Sequence, residues 1–195
     1  MRFILASKSP RRREILSNLG VRFEVITADT DESSTVTDPC ALVEELSLRK
    51  GQAVADMLRA RGEDLTETVI ISSDTVVAAE GEILGKPRDR ADAERMLRKL
   101  SGGAHEVISG VALIGADRSG VTHEVTHVRF APLTEHNISF YLDSGEPFDK
   151  AGAYAIQGLA SMWIEGIDGC YFNVVGLPVH KLCTLYADLF GKELL

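Results

Sequence analysis

The sequence of 195 residues holds only three cysteines, six prolines and one tryptophan, and each scarcity removes a class of protein. Cys40, Cys170 and Cys183 are odd in number, far apart and without CxxC spacing, which fits neither a disulfide framework nor a zinc site. They read as small apolar side chains in a reducing compartment. No Pro/Gly/Ser-rich linker divides the chain, and no repeat with a period of about 20–50 residues is present. No apolar run approaches the ~20 residues that span a bilayer, and the short run Phe3–Ala6 ahead of Ser7-Lys8 is too brief for a signal-peptide core. The expectation is a soluble, cytoplasmic protein with no membrane contact. Positive charge is in deficit too: 21 Lys and Arg against 29 Asp and Glu leave a formal net charge of −8. Sequence-independent binding of nucleic acid depends on an excess of Lys and Arg, so no nucleic-acid partner is expected. A polyanionic ligand must therefore meet a local basic patch.

What is present suits one globular domain over residues 1–195, with 45% hydrophobic and 26% charged residues and an expected radius of gyration of about 16 Å. Strand-like and helix-like segments alternate. Phe3–Ala6 reads as a strand, followed by Ser9 as N-cap, Pro10 at the first helical position and a helix to Leu19 that stops at Gly20. Arg22–Thr27 alternates as a half-buried strand. Pro39–Arg61 reads as a long helix with Leu42, Leu46, Ala53 and Met57 on its apolar face. Val69–Ser72 has the continuous apolar character of a strand covered on both faces. Ala91–Leu100 reads as a helix, then His105–Ala116 and Val121–Leu133 as strands about a turn at Asp117–Gly120. Thr134–Leu142 and Leu177–Phe190 read as helices, with strands between Ser161 and Val175. Trp163 and Tyr171 are expected in the core. The class is α/β with a mixed sheet.

Four segments could carry chemistry. Ser7-Lys8-Ser9-Pro10-Arg11-Arg12-Arg13 lies between the first strand and first helix, where free backbone N–H groups, hydroxyls and guanidinium forks suit a phosphate chain. A solvated helical face explains the arginines equally well, but cations at a helix N-terminus are unfavourable unless an anion is present. Asp74-Thr75 follows the buried strand, and the apolar run resumes at once through Ala79. A carboxylate interrupting such a strand needs a partner or a metal, which outweighs its reading as a turn residue. Asp29, Asp31 and Glu32 offer hard oxygen ligands for Mg²⁺ or Mn²⁺, and Lys50 and Lys86 offer point charges for phosphate; singly, each is equally a surface residue. Asp149–Gly158 combines small residues with Gln157, whose amide both donates and accepts, and by itself it reads as a structural turn. His123 and His127 share one side of a strand-like segment, which an exposed hairpin face explains better than a metal. No Ser-His-Asp or Cys-His arrangement is visible, so a covalent intermediate is not suggested.

Taken together and in order, Ser7–Arg12, Asp74-Thr75-Val76-Val77, Gly85-Lys86-Pro87, Asp149–Gly158 and Ile164–Gly169 resemble the Maf family of nucleoside triphosphate pyrophosphatases over nearly the whole chain. Thr75 and the Gly152–Gly158 stretch resemble the branch acting on dTTP and UTP rather than the one acting on 7-methyl-GTP. The resemblance implies a mixed, curved β-sheet flanked by helices, with two lobes around a deep cleft, as in inosine triphosphate pyrophosphatase-like folds. It implies hydrolysis between the α- and β-phosphates with a divalent metal cation, Mg²⁺ or Mn²⁺, as cofactor. Asp74 matches the catalytic carboxylate, a proton acceptor. Arg11, Thr75 and Gln157 match positions of substrate choice, and Ser7, Arg12, Glu32, Lys50 and Lys86 match other polar positions of the cleft.

The residue chemistry is compatible with that implication. Arg11, Arg12, Lys50 and Lys86 can screen a triphosphate, while Glu32 and Asp74 can hold a metal or take a proton from water, with the two roles undivided between them. Two other functions stay open: a nucleotide-binding regulator of septum formation and cell-division arrest with incidental hydrolysis, and a house-cleaning pyrophosphatase for modified purine triphosphates. Modified pyrimidine nucleotides are further candidate substrates, hydrolysed before they enter nucleic acids. The hairpin about Asp117–Gly120 would suit pairing in a homodimer, as would any surface hairpin.

Overall fold

The computed structural model describes all residues 1–195. Seven strands form one mixed sheet, hydrogen-bonded in the order β2-β1-β3-β5-β6-β7 with β4 on β3. They are β1 (Arg2–Leu5), β2 (Phe23–Val25), β3 (Thr68–Ala79), β4 (Glu82–Leu84), β5 (Ala104–Ile114), β6 (Ser119–Phe130) and β7 (Ile164–Asp168). Six α-helices accompany them: α1 (Pro10–Asn18), α2 (Pro39–Ala60), α3 (Arg90–Leu100), α4 (Glu135–Asp143), α5 (Tyr171–Val175) and α6 (Val179–Phe190). No helix is long and apolar enough to cross a membrane. The chain forms two compact units, and the division between them falls within β3, β5 and β6.

The first unit comprises Met1–Asp74, Ser109–Glu124 and Gly176–Leu195. Here β1 pairs in parallel with β2 and with β3, Leu5 standing opposite Val25 on one side and Ile71 on the other. Parallel neighbours need a crossover, and α1 and α2 supply the two. Ile4, Ile70, Val54, Leu58 and Ile114 share one core cluster, and Ile4 and Ile70 are fully buried, each contributing roughly 1.5–3 kcal/mol by leaving water. Two glycines set how closely α2 lies on the strands. A Cβ on Gly51 would fall 2.6 Å from Ser72 Oγ, and one on Gly110 would fall 2.4 Å from the Val43 carbonyl oxygen. The buried face of α2 is Val43, Leu46, Ser47, Gly51, Val54, Ala55 and Leu58. The face expected from Leu42, Ala53 and Met57 is therefore off by one position, because small Ser47 and Gly51 line the contact that periodicity assigns to large apolar residues.

The second unit comprises Thr75–Ile108 and Val125–Val175. Its core joins Val77, Leu84, Met96, Leu97, Leu100, Phe130, Tyr141 and Tyr154, with Trp163 packed against it. Between Ser161 and Val175 the expected strands are only partly present: a 3-10 turn covers Leu159–Trp163, β7 covers Ile164–Asp168 and α5 covers Tyr171–Val175. Gly169, at φ 126°, breaks the strand, and a Cβ there would meet Thr126 Oγ1 at 2.9 Å. Tyr171 is 41% exposed, so it is not the core residue expected; its ring meets that of Phe172 edge-on at 5.7 Å. The turn between β5 and β6 also sits earlier than Asp117–Gly120, closed by Gly115 N–H donating to the Arg118 carbonyl at 2.7 Å.

Candidate active site

In the first unit β3 runs three residues past Ile71, the partner of β1's last residue, and there carries Asp74. This is the carboxyl end of the parallel strands, where open α/β sheets gather functional groups. Asp74 is 9% exposed, and the partner it needs comes from α2: Lys50 Nζ donates to Asp74 Oδ1 at 2.5 Å. The same ammonium lies 3.0 Å from Glu32 Oε1. Lys50 precedes Gly51, so the close approach that Gly51 permits also brings the ammonium to Asp74.

The acidic loop divides. Asp29 is fully exposed beside Lys8, and the Asp31 carboxylate accepts from Ser33 Oγ and N–H, which hold its pKa below the ordinary carboxylate range. Only Glu32 of the three reaches Lys50. Arg49, beside Lys50, steadies that loop by donating from Nη1 to the carbonyls of Asp31 at 2.6 Å and Ser33 at 2.8 Å.

The basic cluster divides as well. Ser9 caps α1 in position, but its hydroxyl makes no capping bond. Instead Ser9 N–H donates to Ser7 Oγ, closing the β1–α1 turn. Arg12 turns inward, donating from Nη1 to Ser7 Oγ at 3.1 Å and the Ser73 carbonyl at 2.6 Å, and from Nε to the Gly176 carbonyl at 2.7 Å. Ser73 Oγ donates to the same Gly176 carbonyl. Burial lowers the Arg12 pKa, with Asp74 and Glu32 opposing and Arg11 adding to the shift. Arg12 thus fixes the residue before Asp74 and leaves a positive charge beside it. Arg11 is half-buried, whereas Arg13 is exposed and fits a solvated face.

Thr75, Lys86 and Gln157 belong to the second unit. Thr75 is half-buried, and Lys86 and Gln157 are exposed. Two of the sequence segments meet there: Gly152 N–H donates to the Gly85 carbonyl at 3.0 Å, beside Lys86. Gly152 has φ 67°, and a Cβ on it would lie 2.8 Å from Val77 Cγ2, so glycine is required by conformation and by space. His123 pairs with Glu44 at 2.7 Å and His127 with Glu106 at 3.2 Å, and no group of three or more His, Cys, Asp or Glu is arranged to hold a metal.

The family model described as Maf-like protein matches residues 2–189. The chain belongs to this family. Proteins named dTTP/UTP pyrophosphatase align along almost its whole length. That of Symbiobacterium thermophilum is 50% identical over 96% of this chain and 93% of its own. That of Desulforamulus reducens is 48% identical over 98% and 97%, and that of Hahella chejuensis 49% over 99% and 94%. The structure of the Staphylococcus aureus Ham1 protein superposes with a TM-score of 0.46 at 16% identity, covering 67% of this chain and 72% of that one.

In this Maf-like chain the donor set suits one kind of cation. Two carboxylates aimed at a single ammonium provide hard oxygens at one point, and Mg²⁺ commonly takes one or two carboxylates together with substrate phosphates rather than a protein cage. The residues fit a cation that arrives with a phosphate ligand. Sequence reasoning missed Arg49, Gly51, Ser73 and Gly176 because their roles depend on partners distant in the chain; the Lys50-Gly51 pairing in a helix was the one local signal for the close approach.

Proposed function

We propose that this chain hydrolyses dTTP and UTP, and pyrimidine analogues of them, between the α- and β-phosphates, releasing the nucleoside monophosphate and pyrophosphate in the cytoplasm. The observation that carries the reading is the Lys50 ammonium shared by Asp74 and Glu32 at the carboxyl end of the parallel strands. The names of relatives 48–50% identical over nearly the full length support the substrate class.

Hydrolysis of a phosphoanhydride rests on charge stabilisation and on aligning a water with the leaving group. Asp74 and Glu32 share proton acceptance and cation ligation. A divalent cation bound there supplies charge screening along the triphosphate. Glu32 and Asp74 would hold such a cation, and Lys50, Arg11 and Lys86 would supply counter-charges to the phosphate oxygens. Ser7 lines the phosphate turn, which Arg12 holds in shape. Gln157, with Thr75 and Arg11, serves substrate choice. The Gln157 amide matches the O4 and N3–H edge shared by thymine and uracil. Cytosine presents an amino donor at position 4, and the polar group it leaves unpaired costs about 1–3 kcal/mol.

The test is a panel of dTTP, UTP, CTP, GTP and 7-methyl-GTP incubated with purified protein and Mg²⁺ or Mn²⁺, with products separated by ion chromatography. Monophosphate and pyrophosphate from dTTP and UTP are expected, with loss of turnover in EDTA. Release of inorganic phosphate and diphosphate nucleotide would overturn the bond assignment, and equal turnover across the panel would overturn the substrate assignment.

A further inference from the structure

Gln157 stands on a short loop of the second unit, and both ends of that loop are held by one side-chain pair that no sequence motif pointed to. Tyr141, fully buried on α4, donates its hydroxyl to Glu146 Oε1 at 2.8 Å. The same hydroxyl accepts from Ala155 N–H at 3.2 Å, and Glu146 Oε2 accepts from Leu159 N–H at 3.0 Å. The two anchored amides lie two residues before and two residues after Gln157. Gly158 N–H donates to the Ala155 carbonyl at 3.2 Å, closing the loop on itself. A Cβ on Gly158 would fall 2.0 Å from Glu146 Oε1, so a side chain there would have to displace the carboxylate. The Tyr141 ring is fixed in turn against Trp163, edge to face at 5.6 Å. Burial, together with the Glu146 hydrogen bond, raises the Tyr141 pKa well above its usual value, so the hydroxyl stays a donor.

We infer that Tyr141 and Glu146 are positioning residues for base selection, holding the loop 155–159 so that the Gln157 amide meets the pyrimidine edge in one orientation. The inference rests on the reading of Gln157 as the residue that selects the base. An amide on a loose loop can turn to present either its oxygen or its nitrogen, and then matches O4 or a 4-amino group equally well; a loop fixed at both ends removes that freedom. Selection is therefore expected to depend on residues that never touch the nucleotide.

The experiment measures the ratio of kcat/KM for dTTP to that for CTP in the parent, Gln157→Ala, Tyr141→Phe, Glu146→Gln and the double variant Tyr141→Phe/Gln157→Ala, with Tm recorded for each. Phe keeps the ring against Trp163 and Gln is isosteric with Glu, so either variant can carry the test. The ratio is expected to fall about tenfold in Tyr141→Phe and in Glu146→Gln, and the double variant is expected to match Gln157→Ala alone. A merely structural role lowers Tm without moving the ratio. If Gln157→Ala lowers the ratio while neither Tyr141→Phe nor Glu146→Gln does, the positioning claim is overturned and the base reading stands. If the effects multiply in the double variant, the pair acts on something other than Gln157 and the claim fails. If Gln157→Ala leaves the ratio unchanged, the base reading falls and takes the positioning claim with it.

Discussion

The two units hold their candidate residues in opposite ways. In the first, Asp74, Glu32, Lys50 and Arg12 are tied side chain to side chain or side chain to carbonyl, by charges brought together at the end of a parallel sheet. In the second, Lys86 and Gln157 are exposed, and it is the backbone around them that is fixed, through Gly152 to Gly85 and through Tyr141 and Glu146 to Ala155 and Leu159. The difference fits the roles proposed for each. A charged group that meets phosphate must be held near its partners before the ligand arrives, since buried charge without compensation is costly. A neutral amide costs little in water and needs only a fixed direction, which a rigid loop provides. Substitutions at Asp74, Lys50 and Arg12 should therefore reduce rate or stability, and substitutions at or around Gln157 should change preference.

The largest expected effect is on rate. Asp74→Asn keeps the shape of the side chain and removes its charge; pyrophosphate release from dTTP should fall by about 10³-fold in kcat, measured with a coupled phosphate assay, and full activity would remove Asp74 from the chemistry. Next comes Arg12→Met, which removes the guanidinium donor from the carbonyls of Ser73 and Gly176 and from the Ser7 hydroxyl, the latter two keeping only Ser73 Oγ and Ser9 N–H. A loss of about 3 kcal/mol is expected in urea unfolding. Gly51→Ala should cost about 2 kcal/mol from overpacking against Ser72 and Ile114, and by pushing α2 outward it should lower kcat as well.

The smallest effect per pH unit belongs to the second unit. His105 is buried between Phe130 and Tyr154, its Nε2 is 2.8 Å from the Tyr154 hydroxyl, and burial lowers its pKa from 6.5 to about 4. Between those values the unfolded chain binds a proton that the folded one does not, so stability is complete above about pH 6.5 and declines as pH falls, by about 1.4 kcal/mol per pH unit, until about pH 4. Urea titrations at several pH values across that window should show the slope in the parent and a flatter profile in His105→Gln. Amide exchange should locate the loss in the second unit.

Much of this arrangement was legible in the sequence. The apolar run that resumes after Asp74 marked a carboxylate inside a strand, and the demand for a partner was met by Lys50, already a candidate on independent grounds. The turn from Ser7 to Arg12 and the start of α1 at Pro10 followed from local rules. Less visible was anything set by contacts across the chain. The phase of α2 was missed because Ser47 and Gly51, not large apolar residues, meet the strands. Arg12 looked like its neighbours Arg11 and Arg13, yet it alone is turned inward onto Gly176, 164 residues away. Residues 161–175 read as strand from their composition, while Gly169 in a positive-φ conformation ends β7 and lets α5 begin. Glu146 carried no signal at all, since its importance lies in a carboxylate seated over Gly158.

A division of labour is proposed, with Asp74 of the first unit carrying rate and Gln157 of the second carrying base preference. The measurement that tests it most directly is a side-by-side determination of kcat for dTTP and of the dTTP-to-CTP ratio of kcat/KM in Asp74→Asn and Gln157→Ala. Asp74→Asn is expected to lose rate and keep its ratio, and Gln157→Ala to lose its ratio and keep most of its rate on dTTP. A ratio that collapses in Asp74→Asn, or a rate that collapses in Gln157→Ala with the ratio intact, would contradict it.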